Sequence, residues 1–163
     1  MKKQATTREI RVRIDSRYEF IDLVQQLADR LGRAAGLNRA AVLNVGLAVR
    51  EAVANAIKHG NRHEAGKRVE ILFRLDPRRI VIAVRDQGTG FDFGKQRDPL
   101  EPENVFRSNG RGIFFIKSFV DDVTFIRRKG GGTEVRMEKR VKSRRSGRAA
   151  ARGVPMRQGG EVR

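Results

Sequence analysis

The stretch Glu51-Ala-Val-Ala-Asn55-Ala-Ile-Lys-His59-Gly60 decides the fold, because it closes a long helix with an apolar and a polar face. The helix begins at Asn38, and its apolar residues recur at helical spacing: Val42, Val45, Val49, Val53 and Ile57. Glu51, Asn55 and His59 are four residues apart and share another face. A carboxylate beside an amide oxygen can bind Mg²⁺ and can accept a proton from a hydroxyl group. A solvated helical face also explains this spacing.

Alternating and helical patterns on either side of this helix predict the remaining elements. The predicted strands are residues 8–14, 69–75, 80–86, 123–128 and 133–138, and two further helices follow Asp15-Ser16 and Gly110. Asp15-Ser16 is predicted to cap the first helix. The short turns at residues 76–79 and 129–132 predict two antiparallel hairpins.

The order of these elements predicts an α/β (α+β) two-layer sandwich, in which three helices cover one face of a five-stranded mixed sheet. Residues 87–109 are rich in glycine, proline and charge and interrupt this order. A long irregular stretch inside a domain is often functional, so this one is predicted to be a lid.

Asp86 is the most informative single residue of the predicted sheet. It ends a row of apolar residues, Ile80, Ile82 and Val84, so its carboxylate points toward the core and needs hydrogen-bond donors. An adenine amino group is a suitable donor, and Gly88 and Gly90 would let the backbone approach a flat base. An ordinary glycine turn also explains the glycines alone.

A second glycine pair, Gly110-Arg111-Gly112, opens the last predicted helix. It has neither the lysine of a P-loop nor a preceding strand, but the free N–H groups of a helix N-terminus bind phosphate. Lys58 and His59 lie at the end of the long helix, where they would either complement its dipole or contact a phosphate. Gly132-Thr133 alone reads as a hairpin turn.

Taken together and in this order, the four motifs resemble those of the GHKL (Bergerat-fold) ATPase superfamily. Within it, the chain resembles the small anti-sigma-factor serine kinases of bacteria, over about residues 6–138. Arg107-Ser108 before the glycine pair and Val120-Asp121-Asp122-Val123 after the helix also fit this group. Asn109 adds a residue to the usual lid turn.

The resemblance implies a role for each matching residue. Glu51 would be the general base, Asn55 the Mg²⁺ ligand and Asp86 the reader of the adenine amino group. Thr133 would lie near the adenine, and Arg107 would touch the protein substrate. The remaining positions would contact the nucleotide: Lys58, His59, Gly88, Gly90, Gly110, Arg111 and Gly112.

The same resemblance implies an ATP- and Mg²⁺-dependent protein serine/threonine kinase that acts as an anti-sigma factor. Such a protein phosphorylates an anti-sigma-factor antagonist, sequesters a sigma factor and is expected to form a homodimer. Two alternatives remain open at the level of sequence. One is a non-catalytic ATP-binding switch that regulates a protein partner, and the other is a nucleic-acid-binding protein.

The charge of the chain is strongly positive and unevenly distributed. The formal net charge is +17, and residues 139–163 hold nine Lys or Arg against one Glu, a net of +8. These residues have no periodicity, so we divide the chain into a domain at 1–138 and a basic, disordered tail at 139–163. Nucleic-acid binding is therefore expected only through the tail.

Cysteine is absent, which excludes disulfides, thiolate nucleophiles and cysteine-ligated metals. The sequence has no run of about 18 apolar residues and a polar N-terminus, so we expect no membrane span, no secretion signal and a cytoplasmic location.

Overall fold

The computed structural model describes residues 7–90 and 111–141. The elements are β1 (Arg8–Asp15), α1 (Ile21–Ala34), α2 (Arg39–Asn55), β2 (Arg68–Asp76), β3 (Arg79–Arg85), α3 (Arg111–Phe119), β4 (Asp122–Arg127) and β5 (Thr133–Arg140). A 3₁₀ turn at Tyr18–Phe20 leads into α1, and a π-helical turn at Ala56–Gly60 continues α2. Each predicted strand and helix is present.

The strands form one five-stranded sheet in the order β1-β2-β3-β5-β4. Every neighbouring pair of described strands is antiparallel, so the prediction of a mixed sheet is wrong. The connection through α3 does bring β4 back parallel to β3. However, β5 turns back from β4 and inserts between these two strands, so no parallel pair becomes adjacent.

The three helices lie on one face of the sheet and close a single apolar core, which confirms the predicted two-layer sandwich. The predicted stripe of α2 is fully buried, with Val49, Val53 and Ile57 at 0% exposure. It packs against inward-facing strand residues such as Phe73 and Ile82. This burial of α2 across the sheet fixes where its last turn, and therefore the predicted site, lies.

The two long helices begin differently from each other. α2 begins at the predicted place, and Asn38 caps it, since its Oδ1 accepts a hydrogen bond from the Ala41 amide at 2.8 Å. The predicted cap at Asp15-Ser16 is wrong, because α1 begins at Ile21 without a side-chain cap. The Ser16 hydroxyl instead donates to the Lys67 carbonyl at 2.9 Å and ties the end of β1 to the start of β2.

The helical stretch Arg39–Gly60 is long and apolar enough to cross a membrane by length and composition alone, with a mean hydropathy of 1.4. Half of its most apolar window is buried inside the protein. Its apolar stripe contacts α1, α3 and the sheet, which is the environment of a core helix.

β5 continues through Arg140, and the Val141 amide then donates to the Arg78 carbonyl at 2.7 Å. The predicted domain boundary at residue 138 falls two residues before the end of this strand. Residues 142–163 of the predicted tail and residues 91–109 of the predicted lid lie outside the described residues.

Candidate nucleotide-binding site

A cavity of about 430 Å³ opens between the last turn of α2, the ends of β3 and β5, and α3. Six of the predicted site residues line it: Asn55, Lys58, His59, Asp86, Gly90 and Thr133. Apolar side chains, among them Val84, Ile113 and Ile116, form much of the remaining wall. A mostly apolar cleft with a few convergent polar groups is typical of a small-molecule site.

Asp86 lies at the end of β3 and is only 5% exposed. Its Oδ1 accepts hydrogen bonds from the Gly88 amide at 2.9 Å and the Thr133 amide at 3.1 Å. Burial raises the pKa of the Asp86 carboxyl, and these two bonds together with nearby Arg128 act in the opposite direction. The carboxylate is thus held in one orientation at the wall of the cavity, where it can accept a further hydrogen bond.

The backbone around Asp86 is packed so closely that side chains would not fit. A Cβ on Gly88 would lie 2.1 Å from the Gly60 carbonyl oxygen, and a Cβ on Gly132 would lie 2.1 Å from the Asp86 carbonyl oxygen. Gly132 also has a φ of 84°, which favours glycine. These contacts bring the end of α2 and the start of β5 against the loop that follows β3.

Glu51 and Asn55 meet the N-terminus of α3, and Asn55 also lines the cavity. A Cβ on Gly112 would lie 2.1 Å from Glu51 Oε1 and 3.1 Å from Asn55 Nδ2. Glycine at this position therefore leaves room for both side chains beside the first turn of α3. The N-terminus of a helix presents free N–H groups and a positive partial charge, which suit an anion.

Lys58 and His59 are exposed on the π-helical turn and also line the cavity. Partial burial lowers the pKa of the His59 imidazole, and the adjacent Lys58 ammonium lowers it further, against a weaker opposite effect of Glu51. His59 is therefore neutral at pH 7, and Lys58 supplies positive charge.

The donor set at Glu51 and Asn55 fits a magnesium ion that also binds phosphate oxygens. Among residues 7–90 and 111–141 no group of three or more His, Cys, Asp or Glu could hold a metal. One amide oxygen and one carboxylate are too few for a protein-only site, whereas Mg²⁺ commonly takes one or two protein ligands together with substrate phosphates.

Asn61 is a structural part of the site that its local sequence does not reveal, since Gly60-Asn61 is equally typical of an ordinary helix end. The side chain is completely buried. Its Nδ2 donates to Ser16 Oγ at 2.6 Å and to the Arg68 carbonyl at 3.0 Å, and its Oδ1 accepts from the Gln87 amide at 2.7 Å. Asn61 therefore joins the end of α2 to β1, β2 and the loop after Asp86.

The predicted residues of the glycine pair are only partly described. Arg111 is the first residue of α3, and Gly112 lies beside Glu51 as given above. Gly110 and Arg107 lie outside the described residues. The geometry thus gives two clusters, one around Asp86 on the cavity wall and one around Glu51, which reaches the cavity through Asn55.

Residues 14–139 match the family of histidine kinase-like ATPase domains. The chain belongs to this family. The match includes both clusters and ends at Lys139, within β5. Membership of this family supports ATP binding by the chain.

Curated relatives agree with this assignment. The serine-protein kinase RsbW of Staphylococcus epidermidis is 31% identical over 147 residues, which cover 85% of this chain and 91% of the relative. The serine-protein kinase RsbW of Staphylococcus aureus strain Newman is 29% identical over 140 residues, which cover 82% and 87%. The similarity therefore extends over nearly the whole of each relative.

Proposed function

We propose that this protein is an ATP-dependent protein serine/threonine kinase that acts as an anti-sigma factor. It phosphorylates an anti-sigma-factor antagonist and, in its other state, sequesters a sigma factor. The observation that carries the proposal is that Asn55 and Asp86 line one cavity, while Glu51 and Asn55 meet the N-terminus of α3 at Gly112. The names of the relatives support a serine as the acceptor.

The base of ATP is proposed to bind at the Asp86 end. With Oδ1 held by two backbone amides, the carboxylate can accept a hydrogen bond from the adenine amino group. Thr133 and Gly90 line the same wall. A buried acceptor of this kind distinguishes adenine from guanine, which has a carbonyl at the corresponding ring position and would leave the carboxylate unpaired.

The phosphates are proposed to lie toward Gly112, where the first amides of α3 and the Lys58 ammonium attract negative charge. The acceptor hydroxyl oxygen attacks the γ-phosphorus, the bond to the β–γ bridging oxygen breaks, and ADP leaves. Glu51 accepts the hydroxyl proton. Mg²⁺, held by Asn55 and phosphate oxygens, would neutralise charge on the transferred group.

Transfer of labelled phosphate from [γ-³³P]ATP to a purified candidate antagonist tests this proposal. Glu51→Gln keeps the shape of the side chain but cannot accept the proton, so we expect transfer to fall by about 10²–10⁴-fold. ATP affinity, measured by calorimetry, should not weaken. The matched control is Glu19→Gln, because Glu19 is an exposed carboxylate that pairs with the surface residue Arg17.

Wild-type protein that binds ATP but transfers no label would contradict the kinase and favour the ATP-gated switch. Equal transfer by Glu51→Gln and wild type would remove Glu51 from the mechanism.

The proposed function carries two further expectations. Its partners are soluble transcription regulators, so the protein is expected to work in the cytoplasm. Anti-sigma kinases of this type are expected to be homodimers, and light scattering of the purified protein measures that state directly.

A further inference from the structure

Two consecutive residues after the π-helical turn, Arg62 and His63, have a left-handed backbone, with φ values of 55° and 57°. In residues 7–90 and 111–141 they are the only residues other than glycine with a positive φ. The left-handed region is unfavourable for a residue with a Cβ, so such a conformation persists only where the surrounding structure imposes it.

The surroundings of this pair do impose it. Asn61, immediately before it, is fixed by three side-chain hydrogen bonds to three other segments. The His63 amide donates to the Ile57 carbonyl at 3.0 Å, and the His63 ring packs edge-on against Tyr18 with the ring centres 4.8 Å apart. Arg62 lies between these two anchors and is therefore held in its strained conformation from both sides.

The two strained residues differ in what they face. Arg62 is exposed and lines the cavity, whereas His63 does not line it and faces Tyr18. The place of Arg62 along the cavity follows from its neighbours. Gly60 packs against the Asp86 carboxylate, since a Cβ on Gly60 would lie 2.4 Å from Asp86 Cγ, while Gly112 packs against Asn55. Arg62 follows Gly60 and so lies at the Asp86 end.

We propose that Arg62 is a base-contacting residue, whose planar guanidinium covers the purine ring of a bound adenine nucleotide at the mouth of the cavity. Guanidinium groups stack on flat π-systems, and the fixed backbone at Arg62 removes the backbone part of the cost of ordering on binding. The strained backbone fixes the point from which the Arg62 side chain, which lines the cavity, extends. The proposal rests on the proposed nucleotide site.

The test measures binding of adenosine, ADP and ATP to Arg62→Gly by calorimetry, together with its melting temperature. We expect all three ligands to bind about three- to tenfold more weakly, by a similar factor, because the lost contact is to the base. The melting temperature should stay unchanged or rise, because glycine relieves the left-handed strain. Arg62→Ala should lose the same affinity without that gain.

Arg13→Ala is the matched control for Arg62→Ala, since Arg13 is an exposed arginine of β1 that does not line the cavity, and its nucleotide affinity should equal that of the wild type. Three results would overturn the proposal: unchanged affinity in Arg62→Gly, a loss that grows from adenosine to ATP, or a lowered melting temperature that accompanies the loss. Wild-type protein that binds none of the three ligands would instead contradict the proposed nucleotide site itself.

Discussion

At the scale of single residues, the buried carboxylate of Asp86 destabilises the fold and is proposed to recognise the adenine base. A carboxylate at 5% exposure is desolvated, and two backbone amides compensate only one of its oxygens. Burial raises the pKa of Asp86, which means that the ionised form is less favourable in the folded protein than in the unfolded chain. Such a group is expected where a ligand, rather than the fold, requires the charge.

Replacing Asp86 with asparagine separates these two effects. The amide oxygen can still accept from Gly88 and Thr133, while the new NH₂ group would oppose the amino group of adenine. We therefore expect Asp86→Asn to weaken ATP binding at least tenfold and to leave the melting temperature at pH 7 equal to or above that of the wild type. Calorimetry and thermal unfolding measure the two quantities. Unchanged ATP affinity would remove Asp86 from base recognition.

The difference in stability between the wild type and Asp86→Asn is also expected to depend on pH. Because the folded-state pKa of Asp86 lies above its ordinary value of 3.8, the penalty is complete at pH values above the folded-state pKa. It is relieved as the pH falls from the folded-state pKa toward 3.8. The stability of the wild type relative to Asp86→Asn should therefore improve in this interval, as measured by urea unfolding at closely spaced pH values. A difference that is constant with pH would contradict the role of burial.

At the scale of elements, apolar periodicity predicts the strands and helices well, but it does not determine how they are joined. The stripe of α2 and the hairpin around Asp76 follow from residues close together in sequence. The insertion of β5 between β3 and β4 depends on which strands become neighbours, and the period of a strand is identical in either arrangement. This is why the sheet was predicted as mixed and is antiparallel.

The candidate site likewise contains residues that the local sequence predicts and one that it does not. Glu51, Asn55 and Asp86 were predictable because spacing put them on one helix face and at one strand end. Asn61 was not predictable, because its partners Ser16, Arg68 and Gln87 are up to 45 residues away and local sequence describes it equally well as a turn residue. Its importance follows only from complete burial.

Asn61→Ala should destabilise the fold by about 2–4 kcal/mol, because the completely buried Asn61 side chain bonds to three segments, and all three bonds are lost. Ser16→Ala should cost less, about 1–2 kcal/mol, and the double variant should cost less than the sum of the two, since both remove the same 2.6 Å bond. Urea unfolding measures all three free energies. Strict additivity would show that this bond does not couple the two segments.

A substitution at the contact between α2 and α3 is expected to lower catalysis without lowering stability. Gly112→Ala adds a methyl group where the end of the Glu51 side chain now lies, and this flexible end can move aside. Alanine also favours the helix, so we expect a free energy of unfolding that is unchanged or higher by up to about 1 kcal/mol. Displacement of Glu51 should lower phosphate transfer at least tenfold. Ser118→Ala, on an exposed position of α3, is the control, and full transfer by Gly112→Ala would separate Gly112 from catalysis.

At the scale of the whole molecule, the described domain neutralises much of its own surface charge. On the sheet face away from the helices, Arg85 pairs with Glu70 at 2.7 Å and with Glu134 at 2.6 Å, and Arg136 pairs with Glu134 at 2.7 Å. These contacts lower the pKa values of both glutamates, against the effect of burial, so the pairs stay ionised at neutral pH. The net charge of +17 is therefore not evidence for a basic sheet surface.

Removal of residues 142–163 tests what the remaining charge does, since these residues hold seven Lys or Arg and one Glu. The truncated chain keeps all of β5 and the Val141 bond to Arg78, so its melting temperature and ATP affinity should match the wild type. Non-specific DNA binding should fall at least tenfold and become less salt-dependent, because fewer phosphates are neutralised. A full-length variant with these seven residues changed to glutamine separates charge from length. DNA binding that survives both changes would assign it to the domain, and would revive the nucleic-acid alternative that the cavity and the family otherwise disfavour.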